Sequence, residues 1–248
     1  MTTKRPKKAP LQEVSVIQRE DKTDDLAVIW ISKPEGYNFK PGQYCTIGYD
    51  GVERAYSIAS APHEKYLELF VELIPIEEGG VLTPKLWNLY EGDKVTIRPR
   101  AKGIFTLNGE KSKQLLVSTV TGVVPYVSFI RDYIYQGNSG HHFYILEGAS
   151  YRDEFVYDKE FYDIAGERPE LLTFVPTISR PGQGKNIGWE GEIGRVNNIV
   201  QDKIQEFALL PNETMVYACG HPGMIKDVKE RLSPKGYDFL EERFWKDD

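Results

Sequence analysis

The feature that most constrains the fold is a change in hydrophobic pattern near residue 107. Before it, short apolar runs separated by turn residues predict six strands. These are Val14–Gln18, Leu26–Ile31, Gln43–Gly48, Ala55–Ile58, Tyr66–Leu73 and Lys94–Arg98. A single short helical stretch, Thr83–Tyr90, interrupts them. Many short strands with one helix predict a small antiparallel β-barrel.

After residue 112 the pattern alternates between apolar strands and amphipathic helices. The predicted strands are Leu115–Val120, His142–Leu146, Leu171–Ile178, Met215–Cys219 and Tyr237–Leu240. The predicted helices are Val124–Tyr135, Asp153–Ile164, Ile193–Phe207 and Pro222–Leu232. Such alternation predicts an α/β domain whose parallel sheet binds its ligand at the carboxyl ends of the strands. We therefore expect a flexible basic tail at 1–10, a barrel at 11–107 and an α/β nucleotide-binding domain at 108–248.

Charge and cysteine content exclude several classes of protein. The net charge of -6 gives no support for nucleic-acid binding. Two cysteines, Cys45 and Cys219, can form neither a disulfide framework nor the four-thiolate site of an iron–sulfur cluster. With no apolar run of membrane-spanning length and no signal peptide, we expect a cytoplasmic protein. The one basic cluster is interpreted as a solubilising tail or, alternatively, as a docking arm for an acidic protein; it comprises Lys4, Arg5, Lys7 and Lys8.

A short motif in the first half, Arg54-Ala55-Tyr56-Ser57, combines three groups that suit a phosphorylated aromatic ligand. Arg54 supplies a guanidinium fork for a diphosphate. Tyr56 offers a flat ring face and a hydroxyl, and Ser57 a second hydroxyl. The alternative is an ordinary strand with an exposed arginine and a packed tyrosine.

Four further motifs follow along the chain. The stretch 80–84, Gly-Val-Leu-Thr-Pro, predicts a helix start with Thr83 as the N-cap. The stretch 118–125 joins a strand to a helix, where a dinucleotide diphosphate lies in doubly wound domains. Ser179, Arg180 and Arg195 suit a phosphate monoester. The stretch 217–222, Tyr-Ala-Cys-Gly-His-Pro, places a cysteine at the carboxyl end of a strand.

In this order, the motifs resemble those of the ferredoxin–NADP(H) reductase family, including the aromatic C-terminus of its bacterial members at 241–245. The resemblance covers roughly residues 40 to 245. It implies an FAD-dependent oxidoreductase that transfers a hydride between NADP(H) and flavin. It also implies ferredoxin or flavodoxin as a separate partner for single electrons, because this chain has too few cysteines for a cluster.

The resemblance also implies the residues of the site. The catalytic residues would be Ser57, Cys219 and Glu242, with no metal. Those binding FAD would be Arg54, Tyr56, Ser57, Val71, Val81, Leu82, Thr83, Thr119 and Trp245. Those binding NADP would be Thr121, Gly122, Tyr151, Ser179, Arg180, Arg195, Cys219 and Gly220.

Two departures from the family pattern keep other functions open. Val120 stands where the family often has glycine, and Val124 where it often has alanine. NADP is favoured over NAD because no acidic residue lies between 177 and 185 to hold a ribose 2′-hydroxyl. The alternatives are an NADH-using reductase component of an oxygenase or other multi-protein system, and a flavin-containing regulatory or assembly subunit without nicotinamide turnover.

Overall fold

A computed structural model describes residues 10–243. Residues 1–9 and 244–248 fall outside that range, and so do the predicted basic tail and Trp245. Within the range, no helix is long and apolar enough to cross a membrane. The same residues contain no group of three or more histidine, cysteine or acidic side chains placed to hold a metal ion.

The first domain is the antiparallel barrel that the sequence predicts. Its strands lie in the spatial order β4-β3-β6-β1-β2-β5, and contacts between β4 and β5 nearly close the sheet. Asp50 and Gly51 join β3 to β4 with positive φ angles of 49° and 77°, as a tight hairpin requires. The elements are β1 (Gln12–Asp21), β2 (Leu26–Ser32), β3 (Tyr44–Tyr49), β4 (Val52–Ser57), β5 (Tyr66–Glu72), α1 (Thr83–Leu86) and β6 (Lys94–Ile97).

The second domain is the predicted α/β unit. Six parallel strands lie in the order β10-β9-β8-β7-β11-β12. The core on one face of the sheet includes α2 and α3, and the core on the other includes α4 and α5. The elements are β7 (Lys113–Thr119), α2 (Val124–Tyr135), β8 (His142–Ala149), α3 (Asp158–Glu167), β9 (Leu172–Ile178), β10 (Glu192–Ile193), α4 (Val196–Glu206), β11 (Thr214–Gly220), α5 (Pro222–Leu232) and β12 (Asp238–Arg243).

Two of the predicted helices start later than expected. Helix α3 begins at Asp158, because the Glu154 carboxylate accepts hydrogen bonds from the Ser150 and Tyr151 amides and closes a separate 3-10 turn. Helix α4 begins at Val196, because Gly194 has a φ of 122°, which a helix cannot contain. Helix α1 ends at Leu86 rather than at residue 90.

A partly buried ionic network joins the two domains. Arg131 of α2 donates to Glu68 of β5 at 2.7 Å and to Glu160 of α3 at 2.8 Å. The Tyr157 hydroxyl donates to the second Glu68 oxygen at 2.8 Å. Burial alone would lower the pKa of the Arg131 guanidinium, but the hydrogen bonds and charges of Glu160 and Glu68 raise it. The network therefore holds α2, and with it the carboxyl ends of the parallel strands, against β5.

Candidate functional site

The first of two adjoining cavities lies in the barrel, beside β4 and β5, and has a volume of about 300 Å³. Every described residue that the sequence assigned to FAD lines this cavity, apart from Thr119. Those residues are Arg54, Tyr56, Ser57, Val71, Val81, Leu82 and Thr83. The short motif of the first half therefore lines a cavity rather than an ordinary strand surface.

Tyr56 lines the wall of this cavity. Its hydroxyl oxygen is buried and has no hydrogen-bond partner among residues 10–243. Burial raises the pKa of this hydroxyl, so it remains a protonated donor. A buried donor without an acceptor is unfavourable by about 1–3 kcal/mol. The exposed Arg54 guanidinium stands on the same cavity wall. A diphosphate, which FAD contains, matches the Arg54 guanidinium.

The predicted role of Thr83 as a helix N-cap is wrong. The N-cap is Leu82, and Thr83 is the first residue of α1. The Thr83 hydroxyl instead accepts from the Ile74 amide at 3.0 Å and donates to the Ile74 carbonyl at 3.3 Å. Threonine hydroxyls often bond nearby backbone in this way instead of capping. Thr83 therefore closes the loop that forms one wall of the first cavity.

The second cavity, of about 540 Å³, lies at the carboxyl ends of the parallel strands. This is the place that the alternating pattern predicts for a ligand. Five residues assigned to NADP line it: Thr121, Ser179, Arg180, Arg195 and Gly220. Thr119, which was assigned to FAD, lies here and not in the first cavity. Its hydroxyl accepts a hydrogen bond from the His221 amide at 2.9 Å and joins the ends of β7 and β11.

Gly122 and Tyr151 do not line the second cavity but support its wall. A side chain on Gly122 would lie 2.2 Å from the Cys219 carbonyl oxygen, so only glycine allows this loop to pack on β11. The Tyr151 hydroxyl accepts from the Arg180 guanidinium at 2.9 Å. Tyr151 therefore positions Arg180, which lines the second cavity.

Val120 occupies a strained backbone position in the loop between β7 and α2. Its φ is 42°, in the left-handed region that β-branched residues avoid. The cost is on the order of 1–3 kcal/mol. The loop thus keeps a conformation that favours glycine at this position, which accounts for the glycine that the family often has there.

The three predicted catalytic residues come together where the domains meet. Ser57 of the barrel donates to the Glu242 carboxylate at 3.4 Å. Glu242 of β12 lies opposite Cys219 of β11 in the strand register. Burial raises the pKa of Glu242 to about 7, and the hydrogen bond from Ser57 acts in the opposite direction. Burial also raises the pKa of the Cys219 thiol, so the thiol stays protonated. Cys219 is fully buried and lines neither cavity.

Sequence reasoning missed Glu72, which lines both cavities. The alternation of side chains along β5 is the sequence signal that could have identified it. Within β5, Val71 packs in the barrel core, whereas Phe70 packs against α2 in the core shared with the second domain. Glu72 follows Val71 and therefore shares the face of Phe70.

Sequence comparisons match this chain to oxidoreductases. The family model described as an oxidoreductase NAD-binding domain matches residues 116–230. A flavodoxin/ferredoxin–NADP reductase of Buchnera aphidicola is 29% identical over 227 residues, covering 84% of this chain and 88% of the relative. One component of the Na(+)-translocating NADH-quinone reductase of Neisseria meningitidis is 27% identical over 92% of this chain. The chain spans 58% of the length of that component.

Comparison with solved structures shows the same fold. A ferredoxin NADP+ reductase from Neisseria gonorrhoeae, solved with bound FAD and NADP, superposes with a TM-score of 0.82. It is 24% identical, with 96% of this chain and 100% of that chain covered. The ferredoxin reductase in carbazole 1,9a-dioxygenase superposes with a TM-score of 0.78 at 23% identity, covering 96% of this chain and 70% of that chain.

Proposed function

We propose that this protein, which belongs to the ferredoxin–NADP(H) reductase family, transfers electrons between NADP(H) and a ferredoxin or flavodoxin through bound FAD. The observation that carries the proposal is a pair of adjoining cavities that share Glu72 and Thr121, with Ser57 of the first cavity hydrogen-bonded to Glu242 beside Cys219. One cavity has an unpartnered tyrosine hydroxyl, and the other lies at the carboxyl ends of parallel strands.

When bound, FAD supplies a ring that accepts a hydride and releases electrons one at a time. The residues of this chain provide binding and orientation. Arg54 and Tyr56 would hold the diphosphate and the hydroxylated chain of FAD, and the loop closed by Thr83 shapes the cavity wall. Ser57 and Glu242 carry exchangeable protons at the domain junction. Cys219 packs beneath them as a small protonated side chain and is a positioning residue.

We propose NADP(H) as the preferred dinucleotide. Ser179, Arg180 and Arg195 all line the second cavity, and the Arg195 guanidinium makes no ion pair within residues 10–243. Two guanidinium groups and a hydroxyl match a 2′-phosphate. We further infer a cytoplasmic location, which the two free and buried cysteines support.

Arg180→Ala tests the coenzyme preference. Loss of one charge-assisted hydrogen bond is expected to raise the KM for NADPH about tenfold or more. The KM for NADH should change less than about twofold, because NADH lacks the phosphate. The measurement is steady-state oxidation of each coenzyme with an artificial electron acceptor.

Lys159→Ala is the matched control. Its ammonium group pairs with Asp163 on the exposed side of α3 and lines neither cavity, so both KM values should be preserved. Equal losses for NADPH and NADH in Arg180→Ala would refute the role of Arg180 in phosphate selection.

The second candidate is an NADH-using reductase component of a multi-protein system. Its support is the similarity to the NADH-quinone reductase component and to the carbazole dioxygenase reductase. A wild-type preference for NADH in the same assay would favour it over the first candidate.

A further inference from the structure

Glu72 occupies the boundary between the two cavities. It is the last residue of β5 and lines both of them. Thr121 also lines both cavities, but Glu72 is the acidic residue of the two. Any molecule in one cavity that approaches a molecule in the other comes close to this carboxyl group.

Glu72 differs from the other carboxylate on the same face of β5. Glu68 is almost fully buried, and its charge is balanced by Arg131 and by the Tyr157 hydroxyl. The Glu72 carboxyl has no hydrogen bond or ion pair with any residue between 10 and 243. Glu68 is therefore a structural group. Glu72 lines both cavities, and no cation balances the charge of its carboxylate within the described residues.

The charged groups that shift the pKa of Glu72 are all negative. Asp25 approaches from the loop between β1 and β2, Glu78 from the 3-10 turn after β5, and Glu154 from the 3-10 turn after β8. Burial, followed by these three carboxylates, raises the pKa of Glu72 to about 7. The cationic groups of the cavities are Arg54 in the first and Arg180 and Arg195 in the second. The His221 imidazole, whose Nδ1 accepts from the Gly223 amide, also lines the second cavity.

We propose that Glu72 is a charge gate for the dinucleotide, admitting its diphosphate when the carboxyl is neutral and opposing it when the carboxyl is ionised. The inference rests on the proposed function, because it requires a dinucleotide in the second cavity. A like charge placed beside a desolvated diphosphate is strongly unfavourable, since water no longer screens the pair. Glu72 therefore lowers the affinity for the dinucleotide as pH rises through neutrality.

Glu72→Gln tests the gate. We expect the dissociation constant of NADP+ to be similar for the variant and the wild type at pH 6. At pH 8 the wild type should bind about tenfold more weakly than the variant, as expected for a single carboxyl titrating near neutrality. The measurement is isothermal titration calorimetry on the FAD-loaded protein. The 2′-phosphate of the ligand also titrates in this range, but equally for both proteins, so the ratio isolates Glu72.

Glu77→Gln is the matched control. It removes the same charge from the exposed turn next to Glu78, but Glu77 lines neither cavity. The dissociation constant of NADP+ for this variant should equal that of the wild type at both pH values. A ratio of dissociation constants between wild type and Glu72→Gln that stays constant from pH 6 to pH 8 would overturn the gate. Failure of both proteins to bind either NADP+ or NAD+ would overturn the proposed function, and the gate with it. Normal dinucleotide binding with a constant ratio would overturn the gate alone.

Discussion

Replacing Arg131 with alanine is expected to lower the free energy of unfolding by about 3–5 kcal/mol, because it leaves buried charge without a partner. Glu68 is 6% exposed at its side chain and would lose its cation. Glu160 would lose a pair of hydrogen bonds of 2.8 Å. Because the network joins β5 to α2 and α3, the loss should loosen the domain junction as well as the fold. Urea unfolding of the FAD-loaded protein, followed by circular dichroism, measures the change.

Two companion variants separate this effect from a simple change in charge. Lys159→Ala in α3 removes an exposed pair with Asp163 and should cost less than about 1 kcal/mol. Arg131→Met combined with Glu68→Gln removes both charges and should recover part of the loss. If Arg131→Ala unfolds with the wild-type midpoint, the network does not hold the domains together.

Glu242→Gln is expected to remove a large part of the pH dependence of stability. The folded protein holds the Glu242 proton up to pH about 7, whereas the unfolded chain releases it near the ordinary pKa of 4.5. Between these values the folded state binds more protons, so wild-type stability falls as pH rises through the window. The full difference is about 3 kcal/mol. The glutamine variant lacks this loss and should be more stable than wild type at pH 8 by up to about that amount.

The measurement is the free energy of unfolding at pH 5 and pH 8 for each protein. Burial also raises the pKa values of Glu72 and Glu147. Both proteins therefore keep the pH dependence of stability that these two groups cause. The difference between wild type and Glu242→Gln therefore reports Glu242 alone. Glu230→Gln, on the exposed side of α5, is the control and should follow the wild-type slope. Parallel slopes for wild type and Glu242→Gln would mean that Glu242 is ionised in the fold at neutral pH.

Local sequence signals predicted the elements well where they are strong. The bounds of α2 and α5 match the prediction because Pro125 and Pro222 stand in their first turns and mark the start of each helix. The hairpin at Asp50 was predictable because aspartate followed by glycine accepts positive φ. Both sheets follow from the change in periodicity near residue 107.

Contacts between distant segments were not predictable in the same way. Arg131 and Glu68 lie 63 residues apart, and neither sits in a recognisable motif. Thr119 is the last residue of β7, and only the assembled sheet shows that its hydroxyl turns toward His221 in the second cavity. The position of Glu72 could not be predicted, because it depends on how β5 is oriented between the two domains. The motif residues Arg54, Tyr56 and Ser57 were found because one short stretch carries all three.

The most direct test of the central claim is an anaerobic titration of the purified protein with NADPH while its visible spectrum is recorded. The account predicts a yellow, FAD-containing protein whose oxidised flavin absorbance is bleached by about one equivalent of NADPH. A colourless protein that cannot take up FAD would contradict the assignment of the first cavity. A yellow protein that neither NADPH nor NADH reduces would contradict the assignment of the second.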